Sequence, residues 1–138
     1  MENNFNLEKL RFPIGEFQKP DFISQKDLEI WITTIENFPQ KIKLLTANLS
    51  LDELNWIYRS NGWCIKQVVH HCADSHMNAF IRFKLALTED IPIIKPYEED
   101  RWAELVDGNS DTILPSIQII EGVHARWVLL LKSFEEKE

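Results

Sequence analysis

The feature that most limits how this chain can fold is a helical repeat of apolar residues in three long segments, with no window of strict polar–apolar alternation. In the first segment Leu28, Trp31, Ile32, Ile35, Phe38, Ile42, Leu45 and Leu49 recur every three or four positions, which places them on one side of a helix. Ser24 is a candidate N-cap for it, and Pro39 is expected to kink it, because proline lacks a backbone donor and crowds the preceding turn. The second segment runs from about Trp63 to Thr88, and the third from roughly Thr112 to Phe134, with Ile113, Ile117, Ile120, His124, Trp127, Val128, Leu131 and Phe134 on one stripe. Between them, Ser50-Leu51-Asp52-Glu53 reads as a capping box, Asn61-Gly62 as a turn, Pro92 and Pro96 as loop punctuation, and Glu98 to Leu105 as a short helix. Residues 1–23, with Pro13, Gly15 and Pro20, are expected to form an extended lead-in lying on the domain. The pattern predicts one all-α bundle domain over residues 1–138.

Composition excludes several functions for such a bundle. With 44% hydrophobic and 27% charged residues, the chain has the makings of a packed core. Its net charge of −7 argues against nucleic-acid binding, which depends on clustered Lys and Arg neutralising phosphates. No apolar run approaches the ~18 residues of a membrane span, and the start Met1-Glu2-Asn3-Asn4-Phe5 lacks the basic and apolar regions of a secretory signal. Cys64 and Cys72 stand about two helical turns apart, too far to bridge each other, and free thiols fit a reducing cytoplasm. Neither a nucleic-acid nor a membrane partner is expected.

The second segment carries the chemistry. Ile65, Val68, Val69, Cys72, His76, Phe83 and Leu87 make its apolar stripe, with His76 in the middle. His71 lies on a flank near Cys64, Ser75, Asn78 and Arg82, and His70 groups with Asp74 one turn on. Three histidines facing three directions cannot all bind one ion from a straight helix. Lys66 and Lys84 share one narrow edge expected to face solvent, so the helix should be covered on more than one side. The residue pattern alone favours a polar or structural role for His71 and a surface or supporting role for His70, with an ion pair to Asp74. It favours satisfied core histidines at His76 and His124, and plain packing for Cys72.

The string from Gly62-Trp63-Cys64 through His70-His71-Cys72-Ala73-Asp74-Ser75-His76-Met77-Asn78 to Ile81-Arg82-Phe83-Lys84-Leu85 resembles the DinB-like superfamily, in its YfiT-type hydrolase and bacillithiol S-transferase branch. Collinear support comes from Phe12-Pro13-Ile14-Gly15-Glu16, Tyr58-Arg59, Ile94-Lys95-Pro96-Tyr97, Trp102-Ala103-Glu104-Leu105 and His124-Ala125-Arg126-Trp127. The resemblance implies an up-down-up-down four-helix bundle, usually a homodimer, holding a divalent ion (Zn or Ni) on three histidines. His71 maps onto the first ligand and His70 onto its neighbour. The family's other two ligands form an H-x-x-x-H pair on a C-terminal helix, and that spacing occurs nowhere in this sequence.

The expectation is therefore a bundle with three long helices present and the fourth missing, truncated at its C-terminus relative to the family. Metal binding by His71 alone would be weak, and an uncovered groove would drive association into a homo-oligomer, a dimer in the family's manner. The implied activity is metal-dependent hydrolysis or S-transfer. In it a His-bound ion activates water or a bacillithiol-like thiol against a small-molecule electrophile. Asn78 and Arg82 are candidates for orienting substrate or stabilising developing negative charge. The alternative is a non-catalytic helical oligomer that has lost the complete site.

Overall fold

The structure is a computed structural model that describes residues 4–135. It contains α1 (Asn4–Arg11), α2 (Gln25–Thr46), α3 (Leu51–Leu54), α4 (Ile65–Thr88), α5 (Glu99–Ala103) and α6 (Leu114–Glu135). No strand occurs among the described residues, only an isolated antiparallel bridge between Ile57 and Cys64. The three long helices thus match the three periodic segments. α2 begins at a full capping box: the Ser24 hydroxyl accepts from the Asp27 N–H at 3.2 Å, while the Asp27 carboxylate accepts from the Ser24 N–H at 2.9 Å. Ser50 and Glu53 repeat the arrangement at α3. The turn before α4 places Asn61 in the left-handed region at φ 56°, a conformation asparagine tolerates better than most residues.

α6 packs along both α2 and α4, while α3 and the short α5 sit against α4. At the centre Ile42, Val69, Ala73, Ile117 and Ile120 form the core, with Phe38, Cys72 and Ile113 against them. Exposed ion pairs join α2 to α6, Lys43–Glu121 at 2.9 Å and Lys132–Glu36 at 2.7 Å. Their exposure to solvent makes each worth little. From Ile65 to Phe80 no residue is exposed, so α4 is covered around much of its circumference.

Three expectations need correction. Residues 1–23 do not form a purely extended lead-in on the domain. Asn4–Arg11 is helical, helped by a Glu8–Arg11 pair one turn apart, and in the segment that follows Ile14, Phe17 and Phe22 are exposed. Leu28, Trp31 and Leu45 do not join the buried stripe: all three are exposed, while Ile42 on the same stripe enters the core. Lys66 is not on a solvent edge: its side chain is buried, and its ammonium meets the Asp111 carboxylate at 2.6 Å. The long aliphatic stem lets the lysine cross the packed layer and deliver its charge to the loop before α6.

Ile120 is wholly buried at the contact of the long helices. Ile120→Ala should cost about 2–5 kcal/mol through lost burial and a residual cavity. The check is a urea titration, with the midpoint lowered and the slope unchanged.

Candidate metal centre on the histidine helix

Enclosure favours partners for the polar groups on α4, and its histidines sort by which of them find one. His70 is 5% exposed. Its Nε2 lies 2.9 Å from the Ser110 carbonyl oxygen, which can only accept, so Nε2 carries the proton. Its Nδ1 then accepts the hydroxyl of Ser116 at 2.7 Å. The surface placement and ion pair to Asp74 expected for His70 are therefore incorrect. The side chain is a buried tie from α4 to α6 and the loop before it. Neither serine shows any sequence signal for this role.

A second arrangement originates in Pro39. α2 runs unbroken through that proline, but proline has no N–H to give the carbonyl four residues earlier, that of Ile35. The Nδ1–H of His124 donates to this carbonyl at 2.6 Å. His124 Nε2 is left as an acceptor, and His76 Nδ1 donates to it at 2.7 Å. Phe38 closes over both rings, edge-on to His76 at 4.8 Å and stacked on His124 at 5.3 Å. Burial, with smaller contributions from His124 and His71, pushes the His76 pKa down to about 4. Burial also lowers that of His124, opposed by its bond to the Ile35 carbonyl. The reading of both as satisfied core histidines agrees with this geometry. The orphaned Ile35 carbonyl was the sequence signal that could have paired His124 with α2.

His71 differs from the other three. It is half-buried with its ring 4.6 Å from that of Trp63, and neither of its nitrogens makes a hydrogen bond among the described residues. Asn78 and Arg82 follow at seven and eleven residues, close to whole numbers of turns, so all three share one side of α4. They do not converge on one point, since seven residues of helix separate His71 from Asn78 by about 10 Å. Asn78 donates to the Asp74 carbonyl at 2.9 Å and lines a cavity of about 660 Å³ with Lys95, Tyr97, Arg101 and Trp102. Arg82 donates to the Lys95 carbonyl at 3.1 Å, with its guanidinium 6.0 Å from the centre of the Tyr97 ring, and so holds the wall of that cavity.

On the adjoining flank, Asp74 and Asp107 line a cavity of about 350 Å³ with His70 and Ser116. Burial and then the Asp107 charge raise the Asp74 pKa, while His71 and His70 oppose the shift. Cys72 packs against the core, and burial raises its thiol pKa, as expected of a packing residue. Among the described residues no three His, Cys, Asp or Glu side chains come together in a way that could hold a metal ion. No helix among them is long and apolar enough to cross a membrane.

A family model described as the DinB superfamily matches residues 34–138. A protein from Geobacillus thermodenitrificans is 45% identical over 96% of this chain and 74% of its own length. One from Oceanobacillus iheyensis is 48% identical over 88% and 70%. Both bear the provisional name of metal-dependent hydrolase. The solved structure of YfiT from Bacillus subtilis is described as a probable metal-dependent hydrolase with an unusual four-helix bundle topology. It superposes with a TM-score of 0.87 at 42% identity, over 91% of this chain and 71% of that one.

Two measurements check these assignments. Both core histidines titrate below the ordinary 6.5, so on acidification the unfolded chain takes up protons first. The His76 contribution is full above pH 6.5, drains away as the pH falls toward about 4, and levels off below that, and His124 adds to it in the same direction. Urea midpoints measured across this window should fall, and His76→Gln should flatten the slope. Ser116→Ala, which leaves a buried imidazole nitrogen unpaired, should cost about 1–3 kcal/mol at pH 7. An unchanged midpoint would show that the His70 tie adds nothing.

Proposed function

Because this chain belongs to the DinB superfamily, we propose that it acts as a metal-dependent hydrolase in which His71 supplies one imidazole ligand to a divalent ion. The observation that carries the reading is the sorting of the four histidines. His70 and His124 have both ring nitrogens engaged and His76 has one, whereas both nitrogens of His71 are free of hydrogen bonds among the described residues. A metal ligand needs a neutral imidazole with an available lone pair. His71 meets that need at the flank of a covered helix.

The described residues do not hold the ion by themselves. A catalytic ion takes about three protein ligands and keeps one position open. His71 is one such ligand, and the H-x-x-x-H pair of the family's pattern does not occur in this sequence. Zn or Ni bound there would supply an acidified water or thiol near neutral pH.

The chain's own residues have narrower duties. In the cavity of about 660 Å³, the aromatic rings of Tyr97 and Trp102 would hold the apolar part of a small electrophile. The carboxamide of Asn78 would orient its polar end. Arg82 acts as a positioning residue, because its guanidinium is committed to the Lys95 carbonyl and the Tyr97 ring. Hydrolysis is the reaction that the relatives' provisional names support. Transfer of a bacillithiol-like thiol is the finer version of the same chemistry.

Elemental analysis of the purified chain tests the reading. Wild-type protein equilibrated with excess Zn or Ni should retain a detectable, less than stoichiometric amount, as one imidazole ligand allows; His71→Ala should lose it with an unchanged helical spectrum, whereas His70→Gln should retain it. No metal above background in the wild type would return the reading to a non-catalytic helical oligomer.

A further inference from the structure

Residues 12–23 link α1 to α2 as an arm containing two prolines, Pro13 and Pro20. Three of its large apolar side chains are almost fully in solvent: Ile14 is 99% exposed, Phe17 86% and Phe22 80%. Its backbone bonds are confined to its start, where the Phe12 N–H donates to the Glu8 carbonyl and the Gly15 N–H to the Phe12 carbonyl; from Glu16 up to the Ser24 cap the backbone enters no hydrogen bond among the described residues. α1 takes no part in the principal helix pairings. Isolated apolar side chains on a surface need no explanation, but three on one unsupported strap are costly to leave hydrated.

The same chain carries a surface of matching character. Leu28, Trp31, Ile35, Phe83, Trp127 and Phe134 line an apolar groove of about 350 Å³ where α2, α4 and α6 meet. Leu28, Trp31 and Phe134 remain about 40% exposed there.

We propose that the occupant of this groove is the arm of a second copy of the chain, exchanged reciprocally about a two-fold axis. Three features favour exchange over the arm folding onto its own groove. The groove begins at Gln25 and Leu28, directly after the arm, so self-insertion needs a chain reversal at Ile23–Ser24. There the capping box holds Ser24 extended at φ −84° and ψ 161°, with both its N–H and its hydroxyl bonded to Asp27. Pro20 stiffens the approach by fixing its own φ and restricting Lys19 before it. Twelve extended residues span about 40 Å, enough to leave one bundle and reach another.

The area is also sufficient. Each aromatic side chain buries about 150–250 Å², so two arms in two grooves cover on the order of 2,000 Å² in total, the size of a stable specific interface. A two-fold exchange satisfies both grooves and closes the assembly. The exchange is independent of the metal reading, because none of its residues is on the His71 side of α4.

The test uses the full chain. Sedimentation equilibrium should give twice the 16.3 kDa chain mass for the wild type at micromolar concentration. The double substitution Phe17→Glu and Phe22→Glu, at positions exposed in the single chain, should weaken dimerisation by roughly 100-fold or more with the helical spectrum intact. A photo-crosslinking side chain at position 17 should give a dimer-mass product joined to Trp31, Leu131 or Phe134. A wild-type monomer would overturn the proposal, as would a dimer indifferent to the two substitutions. A crosslink confined to monomer mass would place the arm in its own groove and overturn it equally.

Discussion

The structure depends most on the enclosure of α4. With no exposed residue from Ile65 to Phe80, its polar side chains cannot rely on bulk water, and a buried polar group without a partner costs more than a made hydrogen bond returns. That constraint explains features that otherwise look unrelated. Lys66 threads out to Asp111, His70 is held between Ser110 and Ser116, and His76 donates to His124. Each tie crosses from α4 to another part of the chain, so satisfying the helix also fixes how α6 and its preceding loop sit against it.

Pro39 extends the same logic to α2. A proline inside a helix removes one donor, and the carbonyl it leaves behind must be met from elsewhere. His124 meets it, and because a carbonyl only accepts, the contact sets the tautomer of His124 and then that of His76. The sequence flaw on one helix thus becomes a polar link through three. The link is made of two imidazoles kept neutral by burial, which ties it to the acid sensitivity of the bundle.

For function, enclosure acts by subtraction. Histidines drawn into structural bonds are poor ligands, and His71, packed on Trp63 with its nitrogens unbonded, is the one left available. The geometry therefore leaves unbonded the side chain onto which the sequence resemblance maps a ligand. Asn78 and Arg82 share its side of the helix, but their observed bonds point to shaping the neighbouring cavity wall rather than to meeting His71.

The sequence by itself determined the three long helices and much of their buried sides, because periodicity, capping boxes at Ser24 and Ser50 and the Asn61-Gly62 turn are local properties of residues a few positions apart. The motif around His71 was legible too, as a pattern along one helix. Only the tertiary structure decided which histidines were consumed by packing, that Lys66 is buried, and that the segment after α1 stands away from the bundle. The physical reason is distance along the chain. Ser116 lies 46 residues from His70, Asp111 45 from Lys66, and the Ile35 carbonyl 89 from His124. Partners so remote leave no spacing to read, and they become partners only when burial removes the water that would otherwise have served.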